Sequence, residues 1–477
     1  MTARAVMVCG TTSGAGKSFL ATALARWYAR RGLKVAPFKA QNMSNNARVA
    51  AGGEMGSAQY FQALAARAIP DVRMNPVLLK PERDTHSQVI VLGERRDDLS
   101  SMEWHTRARH LWPVIRGCLD ELMAQHDVLV IEGAGSPAEI NLAHTDVVNM
   151  RIAEAARAAT LLICDIDRGG AFAHLFGTVQ LLPPEHRALI RGFVLNKFRG
   201  DEGLLAPAPH MLKELTGVPT LAVLPFLPKH GLPEEDGIFD ARPTGSGLSV
   251  VVVAYPYMSN HDEFAPLRQV PGVSLSWARR PEIIAAADLL VLPGSKHVAA
   301  DLLWLREQRL DAAITAHVSA DKPTLAICGG LQMLGRGIED PYGVEGAARG
   351  FGLLPLSTEF LPAKRYRNGR YTLEGLTRFW ERLNGVTFPG YEIHHGETRL
   401  DADAGKHGDA LRKVLADGAG WQCGSLLAIY PHGLFESSTA IRALFGAEAP
   451  TLEDTLDGLA DLIDARFPAG VLASLLH

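Results

Sequence analysis

An α/β protein of two domains is what this sequence predicts, and three observations carry the prediction. A short apolar strand, Ala5 to Cys9, runs into a Gly-rich loop that opens a helix through Arg31. Up to about residue 240, more short apolar strands alternate with amphipathic helices such as Glu54 to Ala68 and Asp146 to Ala158. That alternation implies a mostly parallel sheet with helices on both faces. In the second half, the apolar run Thr324 to Ile327 meets a helix start at Leu331 through one Cys and two glycines. The chain of 477 residues is too long for one core. Polar, Gly/Pro-bearing stretches at 231–237 and 241–247 mark a linker, so the expected domains are 1–240 and 248–477.

Composition excludes several classes. With 47% hydrophobic and 21% charged residues, the chain has the make-up of a soluble globular protein. A net charge of −4 gives no reason to expect nucleic acid or a membrane surface as partner. The five cysteines (9, 118, 164, 328 and 423) have no metal-type spacing, which suggests a reducing compartment. The sequence runs straight into a strand pattern, with no signal-like apolar region and no run of membrane-spanning length, so a cytoplasmic location is expected.

In chain order, the first chemistry lies in Gly10-Thr-Thr-Ser-Gly14-Ala-Gly16-Lys17-Ser18. Backbone N–H groups at a helix N-terminus bind phosphate oxygens, Lys17 neutralises charge, and the Ser18 hydroxyl can ligate Mg²⁺. A nucleoside triphosphate is the implied ligand, with Gly14, Gly16, Lys17 and Ser18 cradling it. Thr11 stands where a standard P-loop has its first glycine, with Gly10 one residue earlier. That longer spacing resembles the dethiobiotin synthetase branch of P-loop proteins.

Three strands end in polar groups that should face the same crevice. Val128 to Ile131 leads into Glu132, a candidate Mg²⁺ ligand directly or through water, although a solvated strand-end carboxylate competes with that reading. Thr160 to Cys164 leads into Asp165, Asp167 and Arg168, which suit Mg²⁺ or substrate carboxylates equally. Gly192 to Leu195 leads into Asn196 and Lys197, and in relatives of this loop such a pair recognises the nucleotide base.

Between the second strand (Val35 to Phe38) and these later strands, Gln41, Asn42, Asn45, Asn46, Gln59 and Asn75 form a segment dense in amides. Amides donate and accept, so they can hold both a carboxylate and its amide product. Ordinary turn chemistry is an equal alternative on composition. Gln41, Asn42 and Asn75 are the candidate substrate contacts.

Cys328 sits on the strand-to-helix turn of the second half. Small neighbours permit a strained backbone and close substrate approach, and the helix N-terminus favours the thiolate. His432, just beyond the apolar run Leu426 to Ile429, is the candidate base; a Cys with a distant His is the pattern of a thiol nucleophile. Gly390 to Glu397 holds two His and two Glu, but in a spacing that fits no zinc pattern. The stretch Thr451 to Phe467 is an amphipathic helix, expected to pack against the second domain.

These motifs resemble known families. Cys328-Gly-Gly, Tyr430-Pro-His432-Gly and Val291-Leu-Pro-Gly-Ser-Lys296 look like the glutaminase site and oxyanion-side loop of class I glutamine amidotransferases. Leu434 stands where many of them carry a Glu, two residues after the His; the cobyrinic and cobyric acid amidases share this shortened dyad. Gln41-Asn-Met, Asn75-Pro-Val-Leu-Leu-Lys-Pro81, Glu132-Gly-Ala-Gly-Ser-Pro-Ala-Glu-Ile-Asn-Leu142 and Asp165-Ile-Asp-Arg-Gly-Gly170 resemble the cobyric acid synthase family over nearly the whole chain. Gly14 and Ser57 depart from it, where Asp and Arg are common. The resemblance implies an ATP-dependent, dethiobiotin synthetase-like amidoligase domain joined to a class I glutaminase. It further implies four amidations, at the b, d, e and g carboxylates of adenosylcobyrinic acid a,c-diamide, with ATP, Mg²⁺, glutamine and a corrinoid as small-molecule partners. The rival readings are the sister a,c-diamide synthase, a dethiobiotin synthetase-like carboxylase and a P-loop protein that does no amidation.

Overall fold

In the computed structural model the described residues are 2–83, 86–228, 230–232, 247–401 and 411–477. The linker predicted across 231–247 therefore lies almost wholly outside them. The chain forms two compact units. The first comprises Met1–Ser44, Ala50–Leu232 and Leu452–His477; the second comprises Asn45–Val49 and Pro233–Thr451.

The first unit is built on six strands: β1 (Arg4–Gly10), β2 (Val35–Phe38), β3 (Val128–Glu132), β4 (Ala159–Asp165), β5 (Ile190–Phe198) and β6 (Thr220–Pro225). They lie in the order β6-β5-β4-β1-β3-β2 and every pairing is parallel. Side chains alternate across a strand, so apolar runs feed two cores at once. Met7, Cys9, Leu129, Ile131, Leu162 and Cys164 enter one, while Val6, Val8, Val128, Val130, Leu161 and Ile163 enter the other. Helix α1 (Lys17–Ala29) covers the second of these faces with Leu20, Leu24 and Tyr28.

The same face also receives Leu456, Leu459 and Ile463 from the C-terminal helix Leu452–Arg466. The expectation that this helix packs on the second domain is therefore corrected. Its apolar stripe adds to the first unit's core, and its acidic residues meet the basic side of α1. Arg26, 1% exposed, pairs with Glu453 at 2.5 Å and Asp457 at 2.7 Å. Arg30 pairs with Asp461 at 2.6 Å, and Trp27 Nε1 donates to Asp464 at 2.7 Å.

The helix expected from Glu54 also starts later than predicted. Gly53–Gly56 is extended and α2 runs Ser57–Ala65. Glu54 is fully buried against Lys80, and this tertiary ion pair fixes the residue outside the helix.

The second unit has a seven-stranded sheet: β7 (Leu248–Val253), β8 (Val273–Ala278), β9 (Leu289–Leu292), β10 (Thr324–Ile327), β11 (Arg412–Leu415), β12 (Gly420–Cys423) and β13 (Leu426–Ile429). The order is β8-β7-β9-β10-β13-β12-β11. Its centre, β9-β10-β13, is parallel, with Leu292 opposite Ala326 and Ile327 opposite Ile429. Ligand chemistry collects at the carboxyl ends of such strands.

Candidate active site

The first unit gathers its polar groups where β1, β3, β4 and β5 end. The loop after β1 turns through Gly14 (φ 70°) and Gly16 (φ 104°) before α1 begins at Lys17. At Gly16 a Cβ would fall 2.1 Å from Asn196 Nδ2, so only glycine allows this approach. Asn196 donates to the Ala15 carbonyl at 2.9 Å, and Lys197 donates to the Gly14 carbonyl at 2.9 Å and pairs with Asp165 at 3.0 Å. Both thus brace the loop from the end of β5. Lys17 Nζ folds back on the carbonyls of Thr12 (3.0 Å) and Gly135 (3.2 Å).

Ser18 and Glu132 meet, the hydroxyl donating to Oε1 at 2.9 Å. Two residues that the sequence reading had not assigned join them. Lys39, directly after β2, pairs with the same oxygen at 2.8 Å, and Gln62 from α2 donates to Oε2 at 2.5 Å. Burial alone would raise the Glu132 carboxyl, but the Lys39 ammonium, the Gln62 amide and Lys17 outweigh it and hold the group below its ordinary range. Glu132 is therefore a buried carboxylate among cations.

The amide segment divides in two. Asn75 braces backbone, accepting from Gly56 N at 3.0 Å and donating to the carbonyls of Lys39 and Val77 at 3.1 Å each. Gln41 and Asn42 lie on a short strand parallel to Val77–Leu79. A Cβ at Gly56 would lie 2.7 Å from Asn42 Nδ2 and 3.1 Å from Gln59 Oε1, so these amides converge on one point. Gln59 is fully buried, and neither its oxygen nor its nitrogen has a hydrogen-bond partner.

In the second unit three neighbouring parallel strands each deliver one part. β10 ends at Cys328, which has φ 53° and ψ −109° and caps the short helix α3 (Gly329–Leu334). Positive φ at a non-glycine residue costs on the order of 1–3 kcal/mol and is retained only where the surroundings impose it. Here the Cys328 N–H is tied to the Ile429 carbonyl at 2.8 Å. A Cβ at Gly330 would strike the Leu292 carbonyl at 2.2 Å, which explains the glycine after the turn. β13 leads to His432, and β9 leads to Gly294 and Ser295.

His432 and Cys328 are both buried. The thiol bears on the imidazole and also donates to the Ile393 carbonyl at 3.7 Å. Nε2 has no partner at ordinary hydrogen-bond geometry. On the other side of the ring, Nδ1 lies 2.7 Å from Glu263 Oε1, and Glu263 Oε2 accepts from Gly433 N at 3.0 Å. No acid follows two residues after the histidine, but Glu263 stands beside it from 169 residues upstream, a third polar partner that the dyad expectation did not include. Burial would lower the imidazole, but Glu263 and Cys328 more than offset this and hold it up at about 10.

By contrast, burial pushes the Cys9 thiol up to about 12 and that of Cys118 to about 11. The Gly294–Ser295 loop is tied down by Asp301, which accepts from Ser295 Oγ at 2.6 Å and Tyr257 N at 3.0 Å. In the Gly390–Glu397 segment, the Tyr391 ring stacks on His432 with centroids 5.1 Å apart, and Gln332 donates to the His395 carbonyl at 3.0 Å. Among the described residues no helix is long and apolar enough to cross a membrane.

A parallel-sheet nucleotide unit carrying Lys17, Ser18 and Glu132, in one chain with a Cys–His–Glu thiol site, defines an ATP-dependent, glutamine-hydrolysing C–N ligase. Two family models match in agreement, a "CobQ/CobB/MinD/ParA nucleotide binding domain" over residues 6–236 and a "CobB/CobQ-like glutamine amidotransferase domain" over 249–440. The cobyric acid synthase of Variovorax paradoxus (strain S110) is 60% identical over 481 residues, covering 100% of both chains. That of Methylibium petroleiphilum (strain ATCC BAA-1232 / LMG 22953 / PM1) is 61% identical, covering 99% of this chain and 97% of its own. That of Polaromonas naphthalenivorans (strain CJ2) is 58% identical over 100% of both. The chain belongs to the cobyric acid synthase family.

Proposed function

We propose that this enzyme amidates the b, d, e and g carboxylates of adenosylcobyrinic acid a,c-diamide, giving adenosylcobyric acid, in the cytoplasm. The observation that carries the reading is the pairing of the Lys17–Ser18–Glu132 cluster with the Cys328–His432–Glu263 triad in a chain matching cobyric acid synthases end to end.

Cys328 Sγ, as a thiolate whose proton has already passed to His432 Nε2, attacks the side-chain carbonyl carbon of glutamine. Glu263 holds the resulting imidazolium, which then protonates the departing ammonia. Water assisted by neutral His432 hydrolyses the thioester to glutamate. In the first unit a substrate carboxylate oxygen attacks the γ-phosphorus of ATP. ADP leaves, and ammonia then displaces phosphate from the acyl phosphate to form the amide. Lys17 and Lys39 balance the charge of the transferring phosphoryl group, and Asn196 and Lys197 keep the loop shaped and flank the nucleotide.

A hydroxyl and a carboxylate oxygen 2.9 Å apart suit Mg²⁺, so Ser18 and Glu132 are the residues that would hold it. Magnesium bound there would neutralise phosphate oxygens.

Gln41, Asn42 and Gln59 receive the carboxyl or carboxamide arms of the corrinoid, and Asn75 shapes the turn beneath them. Neutral amides suit an enzyme whose substrate loses a charge at every turnover. Incubation with ATP, glutamine and the a,c-diamide, followed by mass spectrometry, tests the reading. Successive acid-to-amide steps should continue until four are complete. An untouched a,c-diamide, with cobyrinic acid amidated only twice, would mark the sister activity instead.

A further inference from the structure

Residues 45–49 interrupt the sequence of the first unit yet belong to the second. They attach to the turn that bears the triad acid. Ala47 N donates to Asn260 Oδ1 at 3.1 Å, His261 N donates to Asn46 Oδ1 at 3.2 Å, and Asn368 Nδ2 donates to the Val49 carbonyl at 3.0 Å. Arg48 points inward and is 2% exposed. Its guanidinium pairs with Asp262, adjacent to Glu263, and with Glu436 at 2.6 Å, four residues beyond His432. Its central carbon lies 4.7 Å from the centroid of the Tyr391 ring.

That ring is the one stacked on His432, with an interplanar angle of 17°. The two backbones also bridge, His432 N donating to the Tyr391 carbonyl at 2.9 Å and Tyr391 N to the His432 carbonyl at 3.3 Å. One guanidinium therefore touches the neighbour of the triad acid, a residue one helical turn past the base, and the ring packed on that base.

We propose that Arg48 is a positioning residue of the glutaminase centre, holding the 260–263 turn and the Tyr391 ring so that Glu263 and His432 stay in register. The proposal rests on the reading of Cys328, His432 and Glu263 as that centre. It has an electrostatic side as well as a geometric one. His432 faces Glu263, the Cys328 thiol and the Tyr391 ring, with Tyr255, Asp262, Glu436 and Arg48 behind them. Arg48 balances Asp262 and Glu436. Without it their charge adds to that of Glu263, favours the imidazolium, and withholds the neutral base that thioester hydrolysis requires.

The test uses the full chain, with Arg48→Met, Arg48→Lys and the partly exposed Glu436→Gln. In Arg48→Met, kcat for glutamine hydrolysis should fall about 10- to 100-fold, with KM for glutamine little changed. The acid limb of its pH profile should move to higher pH, and Arg48→Lys should recover part of both effects. Glu436→Gln removes a negative charge, so its acid limb should move the opposite way. Ammonium-dependent synthesis should persist in all three.

An unmoved acid limb in either Arg48→Met or Glu436→Gln overturns the proposal, and so does an equal loss of ammonium-dependent synthesis. If Arg48→Met does not fold, the direction of the Glu436→Gln shift decides alone. Wild type and Cys328→Ala keep the two readings apart. Glutamine hydrolysis surviving in Cys328→Ala refutes the glutaminase assignment, whereas its loss there beside an unaltered Arg48→Met refutes Arg48 alone.

Discussion

Glu263 Oε1 lies 2.7 Å from His432 Nδ1, although β8, β9 and β10 all intervene in sequence between the two residues. The carboxylate fixes which imidazole nitrogen faces Cys328. Replacing it by Gln leaves the shape but not the charge. Glu263→Gln should lower glutamine-dependent synthesis by about 10²- to 10⁴-fold and leave ammonium-dependent synthesis near normal. Parallel assays with the two nitrogen donors check this.

Cys328→Ala should abolish glutamine-dependent synthesis while ammonium still supports it, because the acyl phosphate accepts nitrogen from any source. Equal loss with both donors would remove Cys328 from its role.

Lys17→Ala should cripple synthesis with either donor, since phosphoryl transfer loses a charge partner of the kind worth about 3–4 kcal/mol at comparable sites. Steady-state rates with saturating ammonium measure this directly. Near-normal turnover there would refute the phosphate cradle.

The imidazole of His432, raised from 6.5 to about 10, gives a stability prediction with a definite sign. A base whose folded pKa is raised contributes stability that is complete below 6.5 and lost as pH climbs through about 10. The thermal stability of the second unit should therefore fall across that window. His432→Gln should flatten the trend, and scanning calorimetry of both proteins over the same pH series compares them.

Leu459 is 3% exposed in the core that the C-terminal helix shares with α1. Leu459→Ala should cost about 2–5 kcal/mol and lower the unfolding midpoint of the first unit. The glutaminase rate should stay unchanged. A matching loss of glutaminase activity would contradict the seating of this helix.

Local chemistry made some of these features legible in the sequence. The strands of the first sheet were readable because each sends alternate apolar side chains into two cores, and Cys328 stood out because two glycines follow it. Glu263 was not readable: an acid in the first turn of the short helix His261–Gln269 pairs with a histidine only once β7, β10 and β13 are assembled in one sheet. Arg48 was hidden for the same reason, since its partner Asp262 lies 214 residues further along the chain. The C-terminal helix was visible from its apolar spacing, which says that a core exists without saying which one. A better clue lay in charge, since Glu453, Asp457, Asp461 and Asp464 recur on one helical face and match Arg26, Arg30 and Arg31.

That match has a consequence for the order of events on the ribosome. Residues 1–232 emerge first, but the helix that finishes their core is encoded after residue 451. At about 5–20 residues per second, the stretch between them takes about 10 to 45 s to synthesise. For that interval the part of this core that Leu456, Leu459 and Ile463 complete waits uncovered on a nascent chain, exposed to chaperones and to its neighbours on the polysome. Slowing translation between 233 and 451 should lengthen the wait and increase aggregation, and supplying residues 452–477 in trans as a peptide should relieve it.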